Sequence, residues 1–157
     1  MARRIARRLL RELKDSAGTN MLEAAIITPL LLLLTFAIAD FGALLYVELA
    51  LQNGVSQASR YGVTGNVMPD MDHAGSVRAA MRQATPTLTL DDSAFSFHHM
   101  ALGGSTWLTG TGGPNEIEKV TVDYTWHIMT PVIRPFFPGG EIHFQVESSM
   151  KNEERFQ

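Results

Sequence analysis

The side chains of this chain that could do chemistry are few and scattered. His98, His127 and His143 take the polar parity of three alternating segments, which turns their imidazoles toward one face of a sheet, a donor set of the kind that holds zinc. His127 and His143 also stand symmetric about the turn near Pro135 and are expected to face each other across it. No His-x-His or Glu-x-x-His spacing accompanies them, so solvated histidines are the favoured reading, and neither metal nor cofactor is expected. Asp91-Asp92 is not a working carboxylate pair, because neighbours in an extended segment point apart. Gly103-Gly104 and Gly110–Gly113 lack the Lys-Ser/Thr ending and the following helix that a phosphate cradle needs. No nucleophile elbow or dinucleotide fingerprint occurs either, so the chain reads as a non-enzyme. What remains is Gly18-Thr19-Asn20-Met21-Leu22-Glu23. There a glycine without a Cβ leaves the backbone open to close approach, and a carboxylate stands at the mouth of an apolar run, where it is costly unless paired or wet.

The elements around that block explain its position. The chain has 157 residues with thirteen basic and sixteen acidic side chains, of which Arg3, Arg4, Arg7, Arg8, Arg11 and Lys14 precede Gly18 together with only Glu12 and Asp15. Residues 1–18 therefore form a basic leader and the remainder is acidic. A basic flank directly before an apolar run argues for the cytoplasmic side of a membrane rather than for nucleic acid. Ala24–Ala39 carries no charge and spans about 24 Å as a helix. Extension through Phe41, Gly42 and on to Val47 brings it to about 36 Å, enough to cross a bilayer, with Asp40 the only charge included. Pro29 removes one backbone donor and is expected to bend the span near its cytoplasmic end. From Leu44 the periodicity turns amphipathic: Leu44, Val47, Leu51, Val55 and Ala58 form one face and Glu48, Gln52, Ser56 and Ser59 another, to a stop at Gly62 and Gly65. Residues 19–62 thus read as one transmembrane and extended amphipathic helix. Ala37-Ile38-Ala39 offers a rival, a signal-peptidase site that would release a soluble periplasmic protein; an uncleaved signal-anchored binding domain is a third reading.

Residues 63–157 read as an exported α+β domain. Asp70-Met71-Asp72 caps a short helix through about Ala84, with Met71, Ala74, Val77, Met81 and Ala84 on one stripe, and Pro86 closes it. About three strands follow: Phe95 and Phe97 alternate with Ser96 and His98; Val120 to Ile128 alternate with Thr121 to His127; Ile142, Phe144 and Val146 alternate with polar residues. Gly103–Gly113 and Thr130–Gly140 are the connecting loop and turn. This predicts a small antiparallel sheet whose apolar face packs on both helices. Trp107, in the Gly-rich loop, is a candidate contact residue, with packing back onto the sheet as the alternative. With no cysteine in the chain, packing or neighbouring subunits must stabilise this domain.

Glu23-Ala24-Ala25-Ile26-Ile27-Thr28-Pro29 and its leucines, Asp40-Phe41-Gly42, Ala50-Leu51-Gln52-Asn53 and Ala58-Ser59-Arg60-Tyr61-Gly62 together resemble the TadE-like minor pilins, or pseudopilins, of the tight-adherence (Tad, type IVc) pilus. The alternating strand, Thr130-Pro131, Pro/Gly turn and final strand agree with that pattern. Ala24 stands where Tad-system pilins often carry an aromatic residue. The resemblance implies a pilin-like fold and cutting between Gly18 and Thr19 by a prepilin peptidase. It also implies a Glu23 that serves processing and assembly, and a place as a single-pass protein of a bacterial inner membrane, N-terminus cytoplasmic and domain periplasmic. The implied partners are the major pilin, other minor pilins, the inner-membrane assembly platform and the lipid bilayer. The implied role is pilus biogenesis, surface adhesion and biofilm formation.

Overall fold

The computed structural model describes residues 16–154, so the greater part of the basic leader expected over residues 1–18 lies outside the described residues. Helix α1 runs Ser16–Gly62 and passes through Pro29 without interruption. It begins three residues before the expected Thr19, and it ends where the glycines said it would, with Gly65 at φ 67° turning the chain out. Two compact units divide between Asp40 and Phe41, the first holding the apolar part of α1 and the second everything after it.

In the second unit the amphipathic half of α1 is the spine of the core. Val47, Leu51, Val55 and Ala58 are buried at three- and four-residue spacing, as the periodicity demands. Val47, Leu51 and Val55 each contribute about 1.5–3 kcal/mol by leaving water, and the Ala58 methyl less. Ser59, placed on the polar face by the sequence, is instead buried, and its hydroxyl has no hydrogen-bond partner. It neighbours Ala58 on a helix that is covered over more than one stripe at this end.

Helix α2, His73–Ala84, is capped by the Asp72 side chain, which accepts from the Gly75 N–H at 2.7 Å. Val77 and Met81 fill the core as expected, whereas Met71 lies ahead of the helix and is exposed. Arg78 and Arg82 lay their guanidinium groups over the rings of Phe97 and Phe95 at 5.3 and 5.7 Å, which joins α2 to the sheet.

The sheet is antiparallel and has four strands, β1 Phe95–Met100, β2 Leu108–Thr109, β3 Ile117–His127 and β4 Glu141–Lys151, in the order β2-β1-β3-β4. The strand missing from the expected three is β2, two residues inside the Gly-rich stretch that pair with His98 and His99. Such a short strand leaves no alternation to read. Phe95, Phe97, Val120, Val122 and Val146 supply the sheet's share of the core, with Tyr124, Trp126 and Phe144 packed at its margin. The architecture is α+β.

Candidate membrane and assembly segment

The Gly18–Glu23 block lies at the start of α1. Gly18 and Thr19 fall in its first turn, where backbone N–H groups lack intrahelical partners and helices fray, and a Cβ built on Gly18 would meet nothing within 4 Å. Glu23 is exposed. In the uncut chain it stands two turns into the helix; with the chain opened after Gly18 it would be the fifth residue, within reach of the positive end of the helix dipole and of a new α-amine.

Beyond Glu23 the helix is apolar on every side. Ala24 and Pro29 are exposed, as are Ile26, Ile27, Leu30 through Leu34, Phe36 and Ile38. Thr35 spends its hydroxyl on the Leu31 carbonyl at 2.8 Å, so it adds no open polar group. A helix apolar all round is a membrane span or a buried core helix. This one is almost wholly uncovered, and among the described residues it alone is long and apolar enough to cross a bilayer. Asp40 is half-buried and engaged in an interaction, while Phe41 and Gly42 are exposed.

The structure separates the histidines that the sequence grouped. β3 and β4 pair His127 with Glu141 and His143 with Thr125, so the two histidines are offset rather than opposite. The axis of the hairpin lies one residue before Pro135, because Gly139 and Gly140, both at positive φ, start β4 earlier than the symmetric reading assumed. Glu141 meets His127 Nε2 at 3.0 Å, and Thr125 Oγ1 lies 3.0 Å from His143 Nδ1. His98 pairs with Lys119, six β3 positions from Thr125, which puts it about 20 Å from His143. They share a sheet face but no metal site. Among the described residues no group of three or more His, Asp or Glu could hold a metal ion.

Trp107 is packed back in part rather than held out: its ring lies 4.6 Å from Lys119 Nζ, and it stays 38% exposed.

The sequence reading missed the acidic residues at the start of β3. Glu118 is buried, with His73 Nε2 and Asn152 Nδ2 each 3.4 Å from Oε2, and Asn152 also donates to the Gly113 carbonyl at 3.0 Å. Glu116 accepts from the Gly113 N–H at 2.8 Å and meets His99 Nδ1 at 2.9 Å. The Gly113 N–H first, and His99 after it, hold the Glu116 carboxyl below the ordinary glutamate value. These groups tie β1, β3 and the chain after β4 together near the end of α1, where Glu153 N–H donates to the Val63 carbonyl at 3.0 Å. The signal was present: running the Val120–Ile128 alternation back by one step puts Glu118 on the apolar face.

Among the described residues, one exposed apolar helix that begins beside a Gly-Thr bond and a glutamate is a candidate membrane span, and the same helix supplies its later half to the core of a small α+β domain. Residues 18–60 match the family described as TadE-like protein. That segment, which starts at the candidate cleavage glycine and ends inside the domain core, is what the chain shares with the family. Comparisons with curated proteins and with solved structures gave no match.

Proposed function

We propose that this protein is a minor pilin, or pseudopilin, of a Tad-type pilus, acting as an assembly component rather than as a catalyst. The observation that carries the reading is the TadE-like match over residues 18–60, whose first residue is Gly18 and which takes in Glu23 and the uncovered apolar helix. In this reading a prepilin peptidase cuts between Gly18 and Thr19, and α1 stays in the inner membrane with the domain on the periplasmic side. The Glu23 carboxylate then pairs with an amine of its own or a neighbouring subunit, which offsets the roughly 2.5–3.5 kcal/mol that an intramembrane carboxylate costs. The major pilin, other minor pilins and the assembly platform are the partners, and loss of the protein lowers piliation, surface adhesion and biofilm.

Glu23→Ala tests the assembly role. The core of the domain starts at Val47, so the substitution removes no side chain that folds it. The expected result is a protease-resistant, exported domain at normal level with reduced pilus yield. Wild-type yield and adhesion at matched protein level would refute the role.

A further inference from the structure

We propose that the β3–β4 turn is a second membrane-touching element that dips into the lipid interface at the height of Phe41 and Leu45. Among the described residues, the turn gathers four exposed large apolar side chains. Phe136 is 77% exposed, and Met129, Val132 and Phe137 are exposed with it. The turn is built rather than loose: two short 3-10 turns, Arg134–Phe136 and Pro138–Gly140, shape it, and Arg134 Nε donates to the Ile128 carbonyl at 2.7 Å. None of these exposed apolar side chains belongs to the core of the domain that displays them.

Its height along the domain identifies what it meets. The Val63 carbonyl is bonded to Glu153 past the end of β4, and Gln52, Val55 and Ser56 face Gln145–Ser148 across a groove. α1 and β4 therefore run in the same direction. From Val146 back to Glu141 β4 descends about 17 Å, equal to roughly eleven helical residues, which brings the start of β4 level with about Leu44–Leu45. The turn reaches still further down. That is where the apolar run of α1 ends, with Phe41 and Leu45 exposed in the same unit. Aromatic and aliphatic side chains with one arginine at that level suit the headgroup boundary, where rings are half-solvated and a guanidinium meets phosphate. The occupant is the bilayer because Phe41 and Leu45, at the end of the apolar run, belong to the same unit as the turn, so the lipid boundary that takes them lies at its height.

The inference rests on α1 being embedded, and the test separates the two. With no cysteine in the chain, single cysteines at Leu33, Ser105, Val132 and Phe136 can each carry a spin label in the full chain reconstituted in phosphatidylglycerol/phosphatidylethanolamine vesicles. Ser105 is exposed in the β1–β2 loop, at the opposite end of the sheet. The labels at Val132 and Phe136 should be more accessible to oxygen, and less to a water-soluble nickel chelate, than the label at Ser105, and should approach the behaviour of Leu33. A lipid signal at Leu33 with water-like signals at both turn positions overturns the inference alone. A water-like signal at Leu33 overturns the anchor and the inference together. Turn labels shielded from both reagents would mean a second copy covers the turn, which also overturns it.

Discussion

Gly54 of α1 packs against Met81 of α2 and Thr85 just past its end, and adding one methyl there measures the packing. A Cβ on Gly54 would lie 2.5 Å from Thr85 Cγ2 and 3.2 Å from Met81 Cε. Alanine in an exposed helix interior would gain about 1 kcal/mol over glycine. Against this, forcing a methyl into packed side chains costs about 1–3 kcal/mol, and Thr85 cannot swing away cheaply because it is buried and its Oγ1 donates to the Met81 carbonyl at 2.9 Å. The net expectation for Gly54→Ala is a loss of about 1 kcal/mol, or roughly 0.5 M in urea midpoint for a domain of this size. Thr85→Ser deletes the clashing methyl and keeps the hydroxyl. In that background Gly54→Ala should be neutral or stabilising, a coupling of about 1–2 kcal/mol. Urea unfolding of the full chain in detergent, followed by near-ultraviolet circular dichroism and tryptophan fluorescence, reads all four corners of the cycle. A raised midpoint for Gly54→Ala alone would show that the two helices do not approach this closely.

Two further outcomes follow from the charges and the leader. Because Glu116 is held below its ordinary value in the folded protein, its contribution is present above the unfolded glutamate pKa and is lost as pH falls through the folded one. Glu116→Gln should therefore lower stability at neutral pH and flatten the acid limb of a stability–pH profile measured by thermal unfolding; an unchanged acid limb would contradict the bond to Gly113. The proposed orientation, with the basic flank before α1 on the cytoplasmic side, predicts that a cysteine at Ser105 reacts with an impermeant thiol reagent in spheroplasts, and labelling only after lysis would reverse it.

What the sequence disclosed, it disclosed through period and punctuation. Sixteen uncharged residues, then three- and four-residue spacing from Leu44 to Ala58 and glycines at 62 and 65, suffice for α1 and for the side that Val47, Leu51 and Val55 bury. Asp72 and Pro86 bracket α2 in the same way. Register was less legible, since it depends on where a turn closes. Two left-handed glycines at 139 and 140 moved His143 from His127 to Thr125, and no side-chain pattern announces that choice. β2 has two residues and no periodicity. Strand parity points Glu118 inward while its charge argues for an outward place, and only the tertiary meeting of His73, Asn152 and the end of α1 makes the inward place tolerable. For the candidate membrane segment, residue types carried nearly all the information, because a bilayer selects on apolarity and length rather than on shape.

The measurement that tests the central claim most directly is the N-terminal sequence and intact mass of the protein extracted from membranes. Cutting at Gly18–Thr19 predicts a chain that begins at Thr19 and keeps the whole apolar helix, and Gly18→Phe cells should accumulate uncut precursor in the membrane. A mature chain beginning at Asp40 in the soluble fraction, or an unchanged mature mass in Gly18→Phe cells, would contradict it.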